Sequence, residues 1–549
     1  MTTGQPLSRL GRWSLWGLIA GACALHAYEI PNRGIDPDEL EHLHAAFCVW
    51  HGDVPYRDFF EHHAPALYYL VWPLFEWHGP SLGVLWSGRA MMFGCSLAAL
   101  WLTGRLAGRW GGERSGLIAA ALLAWTTVFH GKGIELRPDV PAMLLLLLAV
   151  GPFTFASGGG SWRRFLCVGF LCGLALLFTQ KSVVPAVGIG AAAILSRLLT
   201  RDRSIESVAT VVARVVVPIV AGAVAMWGMA SLLFATAGAM GDFWYSTWYQ
   251  LWIWPIRSSR WEHLRPTLAG ELTVWFAAVM EIGFVAREWR QRETWGHQRG
   301  AAAVISTVCI VSLPFVKATY PQFFLLWMPF LAALAARRVA DWSLRPATMI
   351  RFGTAIFVAV ILCAGEIFLC RRAASAGLAG SLPHLAGAEA ANAAVLIVLA
   401  VAMCFIVTAA WRRKWSAVAL TVCGLGMTYS VLRDIEMALW PNREQVAAID
   451  AVNRQIPVEG RVLDGFTGLA ALRQHAWYYW WINEYSLALV PEQERAAGLL
   501  ERLERNPPAG ILLDRNVELL PPEVVGWIRA RYEPVEPKPL WLRRSGRNE

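Results

Sequence analysis

Charge is scarce in this sequence. Lys, Arg, Asp and Glu make up 16% of its 549 residues, against about 25% in ordinary soluble domains. Hydrophobic residues reach 56% and mean hydropathy is +0.42. So little charge excludes the string of soluble domains that about 150 residues per domain would suggest. It equally excludes a disordered or collagen-like chain. Nucleotide fingerprints are missing as well: no GxGxxG or Walker pattern occurs, and Ser157–Gly160 reads as a turn. The cysteines form no CxxC pair. Of ten, nine lie in apolar runs and only Cys48 does not, so they read as small buried hydrophobes with no disulfide framework. A Lys/Arg stripe is also absent, since the net charge of +9 is spread over short loops. That excludes a nucleic-acid partner. No convincing cleavage site follows the first apolar run, Trp13 to Ala27, which makes it a membrane helix rather than a signal peptide.

What remains is a polytopic membrane protein. Apolar runs of about 20 residues, each long enough for a hydrocarbon core of about 30 Å, give about thirteen candidate spans. They centre near residues 20, 95, 121, 147, 171, 190, 223, 278, 308, 329, 359, 400 and 426. Basic residues alternate between sides. Arg105, Arg109 and Arg114, then Arg163 and Arg164, then Arg197, Arg201 and Arg203 occupy one set of connections. Arg287, Arg290, Arg292 and Arg299, then Arg337, Arg338 and Arg345, and finally Arg412, Arg413 and Lys414 continue it. This bias predicts a cytoplasmic N-terminus and a C-terminus outside the cytoplasm; the expected location is a plasma (bacterial inner) membrane.

Three segments on the outer side are large. The loop 30–80 contains an amphipathic stretch and a short apolar stretch from Ala64 to Trp77, read as an interfacial or partly inserted helix. The segment 241–266 is dense in aromatics. The tail 440–549, about 110 residues, is soluble in composition and predicts a small α/β domain beyond a membrane domain of residues 1–439. Its pattern predicts helices at Glu444–Gln455, Glu492–Arg505 and Pro522–Arg531. Strands are predicted at Arg461–Leu463, Gly510–Leu513 and Leu540–Arg543, with an aromatic segment Trp477–Ile482.

Ionisable residues gather in two outer loops. In the first, Asp36 can cap a helix with Pro37 at its first position and Glu39 closing a capping box. Capping does not account for Asp38, Glu41, His42 and His44. Carboxylates at the outer end of a membrane bundle suit proton abstraction or cation binding, which singles out Asp38 and Glu39 as catalytic candidates. Glu61, His62 and His63 follow, able to ligate a divalent metal or meet a phosphate, although interfacial anchoring explains them too. In the second loop, Arg137-Pro138-Asp139 sets an acid in the first turn of a helix, where the dipole alone favours it. Lys181, Arg257, Arg260 and Arg265 add cations, the last three beside Phe243, Trp244, Tyr245, Trp248, Tyr249, Trp252, Trp254 and Trp261. An aromatic belt accounts for most of those rings. Arginines among them also suit a ligand with an apolar chain and an anionic head.

These residues resemble the GT-C membrane glycosyltransferases, particularly glycosyltransferase family 39, which contains protein O-mannosyltransferases and the aminoarabinose transferases of lipid A. The likeness rests on Asp38-Glu39, on Phe60-Glu61-His62-His63-Ala64-Pro65, on Arg89 and on Arg137-Pro138-Asp139. Thr179-Gln180-Lys181 and Tyr320-Pro321-Gln322 with Pro329 resemble the later turns. The resemblance implies a GT-C fold, a polyprenyl-phosphate sugar donor, an extracytoplasmic site and inversion at the anomeric carbon. Asp38 would be the base for the acceptor hydroxyl, and Asp139 would orient a substrate or help hold a cation. Glu61 and Tyr320 would line the site. Relatives have a Lys beside a Pro-Pro pair where this chain has His63-Ala64-Pro65, so His63, Lys181, Arg257 and Arg260 compete as the phosphate's cation. No cofactor is assigned. A divalent metal is left open, with Asp38, Glu61 and His63 as its ligands. The acceptor is a glycolipid, glycan or protein hydroxyl. A multi-pass lipid or solute transporter, or flippase, and a non-catalytic glycolipid-binding relative are the competing readings.

Overall fold

The computed structural model describes residues 7–154, 161–199, 208–253, 264, 267–268, 270–290, 297–316, 319–342, 415–480 and 482–544. Helices stand at every expected span centre except 359 and 400, which lie outside the described residues. They are α1 (Arg9–Asn32), α5 (Gly83–Ala124), α7 (Asp139–Thr154), α8 (Trp162–Phe178), α9 (Val183–Leu199) and α10 (Val208–Thr236), then Leu272–Arg290, His297–Ser312, Met328–Trp342 and Trp415–Ala438. Among the described residues, three stretches, Gly83–Ala124, Gln180–Leu198 and Ala209–Thr236, are long and apolar enough to cross a membrane.

The spans at 95 and 121 belong to one helical stretch that turns at Gly112, where φ is +71°. Only glycine adopts that backbone without strain. The two arms then fold against each other so closely that a Cβ at residue 116 would lie 2.8 Å from the Gly104 carbonyl oxygen. Small residues at such crossings let helix backbones approach in a membrane bundle.

The first loop departs from expectation in one place. The stretch from Ala64 to Trp77 is not one partly inserted helix but two short ones, α3 (Ala66–Val71) and α4 (Leu74–His78). Proline at residue 73 removes a backbone donor and separates them. Ahead of them, α2 (Pro37–Trp50) carries the anticipated capping box. Asp36 accepts from the Asp38 amide at 3.0 Å, and Glu39 accepts from the Asp36 amide at 3.1 Å.

The tail folds around a sheet of five strands, β1 (Arg461–Asp464), β2 (Gln474–His475), β3 (Gly510–Leu512), β4 (Tyr532–Pro534) and β5 (Leu540–Arg543), ordered β2-β1-β3-β5-β4. The β1 strand runs parallel to β2 and β3, while β5 is antiparallel to β3 and β4. Successive side chains face opposite ways. Val462 and Leu512 therefore pack with Val452 of the helix Arg443–Gln455 and with Ile456 just after it, while Leu463 and Ile511 pack with Leu499, Leu503, Val524 and Ile528 on the other face. Strands β2 and β4, two and three residues long, escaped the sequence reading because so short a segment has no alternation to detect.

This sheet unit sits on the first loop. The Phe60 amide donates to the Tyr478 carbonyl (2.8 Å), and the Tyr478 hydroxyl donates to the Tyr56 carbonyl (2.6 Å). Gln445 bonds Ile35 through both backbone groups, at 2.8 and 2.9 Å. Gly468, at φ +68°, lies against Leu40 of α2, and a Cβ there would come within 2.6 Å of its side chain. Gly468→Ala is expected to cost about 1–3 kcal/mol through backbone strain and overpacking. Thermal unfolding would reveal the loss, and an unchanged melting temperature would contradict this seating of the tail.

Candidate active site

The N-terminus of α2, the end of the short helix α6 (Thr127–Lys132) and the start of α7 converge on one guanidinium. Arg137, 2% exposed, donates to Asp38 at 2.7 Å and also meets Glu135 at 3.3 Å, Asp36 at 3.4 Å and Asp139 at 3.7 Å. The two acidic loops recognised in the sequence are thus joined through a single side chain. Lys132 completes one flank, 2.8 Å from Asp36 and 2.9 Å from Glu135. On the other flank Lys181 lies 3.1 and 3.3 Å from the oxygens of the fully buried Asp139, with its ammonium 5.4 Å from the Phe323 ring. Tyr320 sits at the head of the short helix that carries Phe323.

Accessibility separates Asp38 from its buried neighbours. Asp38 retains 34% of its side-chain surface, whereas Asp139 and Glu39 retain none. The surrounding protein opposes a charge on Asp38, but the Arg137 and Lys132 cations outweigh it and hold the carboxyl well below the usual carboxylate range. A carboxyl depressed below its unfolded value near 3.9 stays ionised until pH falls through the folded value. The acid side of the kcat/KM profile is therefore expected to stay flat down to about pH 5. An acid limb centred near pH 6 would contradict this environment for Asp38.

Glu39 proves different from the catalytic candidate that the sequence suggested. Its two oxygens take the Arg89 guanidinium at 2.8 and 2.6 Å, the Leu136 amide at 2.9 Å and the Asp36 amide at 3.1 Å. Nothing is left for a substrate, so Glu39 positions the start of α2. Arg89 also donates to the carbonyls of Ile30, Arg33 and Gly34 at 3.0 to 3.1 Å. An arginine inside an apolar run was the visible signal for this buried anchor.

Beside Asp38 lies a second cluster. Glu61 accepts from the His62 amide (2.8 Å), the His63 amide (2.9 Å) and His63 Nδ1 (2.8 Å). Glu41 is 3.8 Å from both imidazoles. Burial and the neighbouring Glu61 charge push Glu41 well up, while Glu61 is held low, burial being outweighed by His63. The ligand atoms of Glu41, Glu61, His62 and His63 lie within 4.8 Å of one another, and two carboxylates with two imidazoles suit a divalent cation. Glu61 and His63 were expected in such a set. Asp38 was too, but it is committed to Arg137 instead, and Glu41 and His62 complete the group. Glu41 was missed as a ligand because it stands 20 residues before Glu61, and no local spacing links the two.

Gln180 ties the elements around this cluster together, donating to the Thr247 carbonyl at 3.1 Å and to the His62 carbonyl at 3.4 Å. Of the aromatic segment, Phe243 is buried against Trp227 and Phe234, whereas Tyr245, Tyr249 and Trp252 are exposed. Arg257, Arg260 and Arg265 lie outside the described residues. A cavity of about 650 Å³ is lined by Asp36 and Lys132 together with, among others, Arg33, Glu135, Glu271, Tyr429 and Gln445.

Residues 62–237 match the family model described as dolichyl-phosphate-mannose-protein mannosyltransferase. The fold is similar to that of ArnT from Cupriavidus metallidurans in the apo state, with 15% identity, coverage of 93% of this chain and 95% of that one, and a TM-score of 0.60. The same protein bound to undecaprenyl phosphate aligns at 15% identity over 84% of this chain and 85% of that one, with a TM-score of 0.56. No curated protein sequence matches the chain. The resemblance to GT-C membrane glycosyltransferases read from the motifs is borne out.

Proposed function

We propose that this chain is an inverting glycosyltransferase that moves a sugar from a polyprenyl-phosphate donor to an acceptor hydroxyl on the extracytoplasmic side of the membrane. The observation that carries the reading is Asp38: ionised, accessible, and fixed by an arginine shared with Asp139. In the reaction the acceptor oxygen bonds to the anomeric carbon as the bond from that carbon to the phosphate oxygen breaks. The electron pair departs with the lipid phosphate, which needs no proton. The acceptor's proton passes to Asp38 and on to solvent. A base of depressed pKa takes a proton late, so Asp38 chiefly orients the hydroxyl and stabilises the positive charge that develops on the sugar.

The leaving phosphate needs positive charge. Lys181 and His63 stand beside the accessible face, and Arg257 and Arg260 remain proposed on sequence grounds. A divalent cation, if held by Glu41, Glu61, His62 and His63, would supply charge to the phosphate. Asp139 holds Lys181 and Arg137 at fixed spacing, and Tyr320 is proposed to line the donor path. The tail, seated on the loop that carries Asp38, is proposed as an extracytoplasmic α/β domain that meets the acceptor.

The test uses the purified full-length protein in nanodiscs with a panel of radiolabelled polyprenyl-phosphate sugars. Transfer of label to water or to an added glycolipid, glycan or peptide is the expected result. Folded protein that neither binds nor turns over any such donor would overturn the reading. Donor binding without turnover would favour a non-catalytic glycolipid-binding protein. Flipping of the lipid without bond cleavage would favour a transporter.

A further inference from the structure

Cys48 is the one cysteine outside the apolar runs, and its surroundings explain why. It follows His44 by four residues on α2, so both side chains share a face of that helix. Across from them stands His475 on β2, at the edge of the tail sheet. The distances are 3.3 Å from His44 Nε2 to His475 Nδ1, 3.3 Å from His44 Nε2 to Cys48 Sγ, and 3.6 Å from Cys48 Sγ to His475 Nδ1. A tetrahedral zinc, at about 2.0 Å from nitrogen and about 2.3 Å from sulfur, holds two nitrogens about 3.3 Å apart and a nitrogen and a sulfur about 3.5 Å apart. The three side chains already have the edge lengths of that polyhedron.

Proton accounting points the same way. His44 Nδ1 lies 3.1 Å from the Ala471 carbonyl, which only accepts. The ring proton of a neutral His44 therefore sits on Nδ1, and Nε2 turns its lone pair towards Cys48 and His475. A backbone carbonyl in this role is what orients metal-binding imidazoles. The Trp480 ring stacks on His44 at 3.5 Å and fixes its plane, and His475 also makes a backbone hydrogen bond with Asp58. The hydrogens of one thiol and one neutral imidazole satisfy at most two of the three edges. A cation bound to all three satisfies every edge.

We propose that His44, Cys48 and His475 form a zinc site that clamps the tail sheet onto the first loop. The fourth position would take water, reached past the half-buried His475. The ion would fasten α2 to β2 across 427 residues of chain, in addition to the backbone contacts at Tyr56, Phe60 and Tyr478. This site is separate from the group around Glu61.

The test loads tag-free, full-length protein with Zn2+, and in parallel with Co2+, whose bond to a thiolate gives a charge-transfer absorption. The expected result is one Co2+ with that band per chain, displaced by Zn2+. The band should be lost in Cys48→Ser and His475→Ala and kept in His63→Ala. Zn2+ should raise the Tm of the wild type more than that of Cys48→Ser. A folded wild type that binds neither ion, or binds Co2+ without the thiolate band, would overturn the site. A band that persists in His475→Ala would overturn the clamp. The wild-type spectrum decides even if a variant fails to fold, and no sugar donor is involved, so the outcome is independent of the proposed transfer.

Discussion

Asp38→Asn is expected to lower kcat by about 10²- to 10³-fold while KM for the lipid donor changes little. General-base assistance contributes about 10²- to 10⁴-fold in enzymes, and the low pKa of this carboxyl argues for the lower half of that range. The substitution retains size and leaves an amide oxygen to accept from Arg137, whose other carboxylate partners stay in place. Folding should therefore survive. Under the proposed reaction, what disappears is the negative charge that would face the anomeric carbon and the acceptor for the hydroxyl's proton. Single-turnover transfer of labelled sugar, with the melting temperature as the control for folding, measures the effect. A folded Asp38→Asn protein retaining more than about a third of wild-type turnover would remove Asp38 from the chemistry.

Arg89→Met is expected to produce the largest loss of stability, about 3–5 kcal/mol, because it leaves the Glu39 carboxylate buried without its counter-ion. Both side chains are fully buried and joined at 2.6 and 2.8 Å. Arg89 also satisfies three carbonyls in the turn from α1 to α2, so its removal strips hydrogen bonds as well as charge. The double variant Arg89→Met/Glu39→Gln should recover part of the loss. It removes the stranded charge, and the single amide oxygen keeps one of the Leu136 and Asp36 amides, which bond different oxygens of Glu39. Activity should fall with Arg89→Met even below its melting temperature, since the frame that holds Asp38 against Arg137 has lost its anchor. Thermal unfolding of the single and double variants in the same nanodiscs provides the comparison. A single variant as stable as wild type, or a double variant worse than the single, would contradict the role given to this pair.

The physical division between what sequence and structure each reveal runs along the range of the forces involved. The amino-acid sequence by itself determined the membrane class and most helix positions, because a run of about 20 apolar residues needs no partner to be recognised. It determined the start of α2, because a capping box closes within three residues. It determined three strands and three helical segments of the tail from local periodicity. It also singled out Asp38, Glu61, His63, Arg137, Asp139 and Lys181. It did not reveal which of these groups touch one another.

Only the tertiary structure decided that Glu39 belongs to Arg89 and Asp38 to Arg137, partners 50 and 99 residues apart along the chain. Only it moved Asp38 out of the candidate metal group and brought Glu41 and His62 in. Cys48 read as one more small hydrophobe because His475, which gives it meaning, arrives through the docking of a separate sheet. A carboxylate's role is set by which cation reaches it and whether water still can. Both are fixed by packing between distant segments, which no local pattern records.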